Sequence, residues 1–188
     1  DKDWDNAKKM TMVGRFMLQG LLAKMRNNGC RIAVVETTSE GIVQYRHKFI
    51  NYDILVFTCL YPEHIESHGS FENYKEAKGR LFSHLGDCGQ KYTDSEYRVV
   101  KNSSGLKKVD LKKIRKTIIV NGNDKHYRYF MQKKAERKIV YADLDGGNYT
   151  FAKDYDMLLY SDVSATSSGI GFRLENDDFK LNLLGSFN

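Results

Sequence analysis

Ile32-Ala33-Val34-Val35-Glu36-Thr37-Thr38-Ser39-Glu40-Gly41 and Ile54-Leu55-Val56-Phe57-Thr58-Cys59-Leu60-Tyr61-Pro62-Glu63-His64 share one design. A short apolar run rich in β-branched residues gives way to a polar loop, which reads as a buried strand with a chemically equipped end. In an open parallel α/β sheet, ligands bind in the crevice outside the carboxyl ends of the strands. The pattern therefore predicts strands over 32–36 and 54–58, with the Glu36 carboxylate and the His64 imidazole facing a common cleft. Taken alone, either residue also fits a bland role, a solvated strand end or a hydrogen-bonded structural histidine. Their recurrence at equivalent strand ends, with Lys78 on a helix soon after, favours chemistry. Carboxylate and imidazole among oxygen-rich neighbours suit Mg²⁺ or Mn²⁺ beside phosphate groups.

Working outward, Leu18, Leu21, Leu22 and Met25 fall at helical spacing within Phe16 to Asn28, and Gly29 supplies a stop. A second helix is predicted from Phe71 to His84 with Ser70 as its N-cap, which sets Lys78 beside the stripe of Phe71, Tyr74, Leu81 and Phe82. Gly86 to Ser104 reads as loop or weak structure. Thr117 to Asn121 predicts a buried strand, Asp124 to Glu136 a helix and Lys138 to Tyr141 a further strand, and this alternation implies parallel crossovers. After Gly146-Gly147 the rhythm changes to three short segments, Met157 to Val163, Gly169 to Glu175 and Phe179 to Leu184. Their separating turns predict a small antiparallel β-sheet near the C-terminus. The fold class is thus α/β, a mostly parallel sheet flanked by helices over 1–148 with antiparallel strands over 149–188.

The chain has 188 residues, 41% of them hydrophobic and 29% charged, which suits a soluble domain with a sizeable core. No apolar run approaches the roughly 20 residues needed to span a bilayer, so no membrane association is expected. Cys30, Cys59 and Cys88 are dispersed without a CxxC pair, arguing against a zinc ribbon or a disulfide framework and for the reducing cytoplasm. The net charge of +6 suits an anionic partner such as a nucleotide or nucleotide-sugar. Lys107 to Lys116 is the densest basic run, but no aromatic stacking residues interleave it, so a solvated surface is expected and not a nucleic-acid interface. Asp1-Lys2-Asp3-Trp4-Asp5 offers neither an initiator Met nor a signal-peptide core, the expectation for an internal piece of a longer protein.

Several runs together carry a family resemblance. Glu36-Thr37-Thr38-Ser39-Glu40-Gly41, Gln44-Tyr45-Arg46, Asp53 to Thr58, Glu63-His64-Ile65-Glu66-Ser67-His68-Gly69, Asn73 to Lys78, Asn121-Gly122-Asn123-Asp124 and Leu184 to Asn188 occur in the order and spacing of the Mur ligase central domain. The chain resembles that family over most of its length, closest to the branch that makes the UDP-N-acetylmuramoyl-tripeptide. The resemblance implies a P-loop-NTPase-like central domain of an ATP-dependent ligase, with separate UDP-binding and amino-acid-binding domains lying outside this chain. It implies that Glu36 holds Mg²⁺ near the ATP γ-phosphate and that His64 holds a second Mg²⁺. Lys78 is similar to a lysine carbamylated in the family, and its carbamate would help hold that second metal. Thr11, Thr38, Ser39, Gln44 and Arg46 resemble residues that grip the UDP-N-acetylmuramoyl-peptide, and Asn188 resembles an Asn near the adenine. The implied reaction joins an amino acid to the muramoyl peptide through an acyl phosphate in peptidoglycan synthesis. Folylpolyglutamate and cyanophycin synthetases share this central fold and remain open as relatives, as does a non-catalytic nucleotide-sugar-binding module lacking the phosphate loop. The chain departs from the family in having no GxxGKT-type run, and in Met12, Cys59 and Glu63, where Thr, Asn and Asp are usual.

Overall fold

The computed structural model describes residues 12–62, 65–92, 101–102, 105–106, 112–146 and 154–183. The chain divides into two compact units: one takes residues up to Tyr52 together with Tyr61–Cys88, the other Asp53–Leu60 together with Gly89 onward.

The second unit is built on a six-stranded sheet. Its strands are β1 (Ile54–Phe57), β6 (Thr117–Asn121), β7 (Arg137–Asp143), β8 (Asp156–Thr166), β9 (Gly169–Leu174) and β10 (Asp177–Leu181), in that spatial order. The two-residue strands β2 (Lys91–Tyr92) and β5 (Lys113–Ile114) form a separate ladder, as do β3 (Lys101–Asn102) and β4 (Gly105–Leu106). β1, β6, β7 and the start of β8 run parallel, with Phe57 beside Val120, Val120 beside Val140 and Val140 beside Met157. The antiparallel strands expected near the C-terminus are present, and they continue this same sheet through β8. Alternation puts Leu55, Phe57, Ile118, Val120, Val140 and Ala142 on one face, and all six are buried. Helix α5 (Tyr127–Met131) packs on β6, stacking Phe130 on Phe57 with ring centroids 4.0 Å apart. Each such side chain contributes about 1.5–3 kcal/mol by leaving water, so the α5 contact fixes the face of the sheet that forms the core. The helix is shorter than the expected 124–136 because the polar run Gln132 to Glu136 turns away. There the Glu136 carboxylate accepts from the Lys116 amide at 2.9 Å and pairs with Lys113. Asp53, at the entry to β1, holds both Lys91 (2.7 Å) and the buried Lys116 (3.0 Å).

The first unit is helical: α1 (Arg15–Asn27), α2 (Ser39–Val43), α3 (Ile65–His68) and α4 (Phe71–Leu85). Met12, Val13 and Leu18 form a buried cluster with Leu21, Leu22, Val35 and Ile50 around it. Helix α4 starts as expected, the Ser70 hydroxyl accepting from the Asn73 amide at 3.1 Å. It packs against α2 and buries Tyr74, Ala77, Leu81, Phe82 and Leu85.

The strand expected over 32–36 does not form. Residues 31–38 have no regular secondary structure, and Ile32 and Val34 are 82% and 93% exposed. A strand is completed by a neighbour's backbone, and β1 is an edge strand whose described ladder is with β6 alone. Apolar composition supplied the propensity but no partner. Glu36 consequently sits in irregular chain and ends no strand.

Candidate functional site

The first unit gathers four of the six described candidate residues around α2. Thr38 is the helix N-cap, its hydroxyl accepting from the Gly41 amide at 3.1 Å. The polar run expected as loop is helical from Ser39 onward, and the signal for it lies in Thr38 followed three residues later by Gly41 and then by apolar Ile42 and Val43. Ser39, the first helical residue, is 4% exposed, and its hydroxyl shares a 3.0 Å hydrogen bond with Nε2 of His68. At the other end, Gln44 caps the helix and Arg46 follows in the turn, with Tyr45 between them in the left-handed region at φ 56°. The Gln44 side-chain oxygen accepts from Arg46 Nε (3.0 Å) and Nη2 (2.6 Å), while Nη1 donates to the Met12 carbonyl. Arg46 is thereby held in one orientation before any anion arrives, a planar fork suited to carboxylate or phosphate.

Met12 takes a different place from the one its alignment with a substrate-side Thr suggests. It is 3% exposed, and a methyl group on Gly41 would meet its sulfur at 2.5 Å. The thioether is core packing over the start of α2, and it reaches the site only through its carbonyl on Arg46.

Lys78 lies on α4, half-buried, with Nζ 5.2 Å from the centroid of the Tyr74 ring. Tyr74 in turn sits 5.4 Å from the His68 ring. Glu36 is exposed. Thr11, His64 and Asn188 lie outside the described residues. Among the described residues, no three His, Cys, Asp or Glu side chains converge as a metal cage. The structure thus brings Thr38, Ser39, Gln44 and Arg46 together on one short helix and its exit turn, packed against the helix that carries Lys78. His68 belongs to this group and sequence reading passed it over; its only local signal was a second imidazole four residues after His64.

Behind Arg46 the buried His47 imidazole meets the half-buried His84. The His47 and His84 rings meet edge to face at 5.3 Å, and His84 Nε2 lies 3.2 Å from the Ile50 carbonyl. Burial, reinforced by His84 and Lys48, pushes His47 down to about 4.

In the second unit, the strand ends carry a polar edge of their own. Asp124 accepts from the Leu60 amide at 2.8 Å and the His126 amide at 2.7 Å, and Asn123 accepts from the Asp143 amide at 3.0 Å. The Asn121-Gly122-Asn123-Asp124 run therefore fastens the exits of β1, β6 and β7 to one another. Burial, helped by Tyr160, Cys59 and Asp124, raises the nearby Tyr141 phenol to about 12, so it is a neutral donor at physiological pH.

The family model of the Mur ligase middle domain matches residues 3–188. The chain belongs to the Mur ligase middle-domain family. It is 28% identical over its full length to a UDP-N-acetylmuramyl-tripeptide synthetase of Roseiflexus sp. (strain RS-1), covering 33% of that protein. Over 89% of this chain it is 25% identical to a UDP-N-acetylmuramoyl-L-alanyl-D-glutamate--2,6-diaminopimelate ligase of Bacillus cereus, covering 35% of it. A ligase of the same name from Halalkalibacterium halodurans is 37% identical over 44% of the chain and 17% of the relative. This Mur ligase middle domain spans about a third of the length of the Roseiflexus and Bacillus cereus relatives. Among its described residues, no helix is long and apolar enough to cross a membrane.

Proposed function

We propose that this Mur ligase middle domain serves an ATP-dependent ligase that joins an amino acid to a UDP-N-acetylmuramoyl-peptide in peptidoglycan synthesis, in the cytoplasm. The observation that carries the reading is the match over residues 3–188, together with relatives named for making the muramoyl tripeptide or adding its third residue. The α2 geometry supports it: the Thr38 hydroxyl at the N-capped first turn and the pre-oriented guanidinium at the exit offer an anion one hydroxyl and a fork.

Thr11, Thr38, Gln44 and Arg46 then hold the nucleotide-linked peptide, with Ser39 acting from behind Thr38, and Arg46 takes a carboxylate or phosphate. Its pre-set orientation brings the peptide's terminal carboxylate to ATP with little entropy left to lose. That carboxylate attacks the γ-phosphorus, ADP leaves, and the amino acid's amine displaces phosphate from the acyl carbon. Bound Mg²⁺ supplies neutralisation of the phosphate charge, and this chain's donors fit it. Exposed Glu36 would offer a hard oxygen ligand and His64 an imidazole nitrogen, while Lys78 could join them only as a carbamate, since its ammonium repels a cation. Asn188 would contact the adenine on this reading.

The test uses the full-length parent protein. Supplied with ATP, Mg²⁺ and UDP-N-acetylmuramoyl-L-alanyl-D-glutamate, it should release ADP only when an accepted amino acid is added. Release triggered instead by a folate would move the protein to the folylpolyglutamate branch. Binding of the nucleotide-sugar with no ADP release in any mixture would reduce it to a binding module.

A further inference from the structure

Ser39 is among the most buried polar residues of the described chain, and its hydroxyl points at an imidazole 29 residues further along. That contact is one of three that tie the start of α2 to the start of α4 through α3. Ser67 donates to the Glu40 carboxylate at 3.2 Å, one residue from the Ser39–His68 bond. The Asn73 side-chain amide donates to the His68 carbonyl at 2.8 Å, fastening the end of α3 to the first turn of α4. The His68 ring also leans on Tyr74, tilted by 53°, and Tyr74 lies beneath the Lys78 ammonium. One side chain thus touches the turn that presents Thr38 and the aromatic residue that supports Lys78.

We propose that His68 is a positioning residue that keeps the Thr38–Ser39 turn in register with α4, and so sets the spacing between bound nucleotide-peptide and Lys78. The inference deepens the ligase reading and rests on it. Ser39 is then an inner strut: with its hydroxyl spent on His68 and its surface buried, it acts on substrate through Thr38. Thr38 in turn spends one lone pair on the Gly41 amide and has its remaining hydrogen-bonding capacity for ligand. A glutamine or asparagine at position 68 can reach the same hydroxyl, whereas alanine removes the partner and leaves a buried hydroxyl unsatisfied.

The experiment is a double-mutant cycle in the full-length ligase with UDP-N-acetylmuramoyl-L-alanyl-D-glutamate as substrate. Steady-state constants are measured for wild type, His68→Ala, His68→Gln, Ser39→Ala and the Ser39→Ala/His68→Ala pair. His68→Ala should raise KM for the nucleotide-peptide about five- to tenfold, the worth of one buried hydrogen bond, with KM for ATP unchanged. His68→Gln should recover most of that loss, and the double variant should be no worse than Ser39→Ala. Additive losses, or equal losses in both KM values with a lowered melting temperature in His68→Gln as well, would overturn the positioning role and leave His68 as packing. Absence of ligation by the wild-type protein would instead overturn the ligase reading itself; His68→Ala and Ser39→Ala would then still be coupled in thermal stability if the strut exists, and uncoupled if it does not.

Discussion

Arg46 shows how much of the candidate site depends on geometry below the level of a motif. Its fork is set by two donations to Gln44 and one to the Met12 carbonyl, so the charge alone does not define its job. Lysine keeps the charge and loses the planar fork. Arg46→Lys in the full-length protein should raise KM for the nucleotide-peptide about tenfold, the worth of a charge-assisted hydrogen bond, with kcat within twofold; an unchanged KM would remove Arg46 from substrate binding. His47, next in sequence, makes a different prediction. Its folded-state value of about 4 lies below the ordinary 6.5, so the unfolded chain binds a proton that the fold excludes. Stability is then full above pH 6.5 and declines as pH falls toward 4, by roughly 3 kcal/mol at the limit. His47→Leu should flatten this decline, read as melting temperature at pH 7 and pH 4.5; parallel pH profiles for variant and wild type would contradict it. The residue type and spacing of Gln44 and Arg46 were legible in the sequence. The roles of Met12, His47 and His68 were not, because each is defined by partners that only the folded chain brings near.

At the scale of elements, local chemistry was the readable part. Ser70 capping α4 needs only a hydroxyl and an amide three residues on, and Thr117–Asn121 is strand-like in composition and is buried as a strand. Ile32 to Glu36 has the same composition and forms none, since a strand also requires a neighbouring edge that composition cannot supply. The hairpins beyond β7 were legible from turn residues, though their continuity with the parallel layer was not: it rests on β8 pairing parallel with β7 before it meets β9 antiparallel. Gly169 opens β9 at φ 142°, where a Cβ would run into the Leu181 carbonyl oxygen of β10. Gly169→Ala should cost about 1–3 kcal/mol and accelerate amide exchange along β9 and β10 before β6 and β7. Uniform exchange behaviour would show that the outer strands do not depend on this approach.

Across the whole chain, the resemblance carried by motif order was recovered by the family match over residues 3–188. That success has a physical basis: spaced motifs encode a set of contacts, whereas +6 net charge or dispersed cysteines encode only compatibility with many partners. The two units each bring part of that set, the α2–α4 platform in the first and the fastened strand ends of β1, β6 and β7 in the second. The role proposed for such a domain is amide formation through an acyl phosphate. It is tested most directly by labelling the terminal carboxylate of UDP-N-acetylmuramoyl-L-alanyl-D-glutamate with oxygen-18 and letting the full-length protein turn over with ATP and the accepted amino acid. One labelled oxygen per amide formed should appear in the released phosphate. Amide or ADP formation with unlabelled phosphate would contradict it.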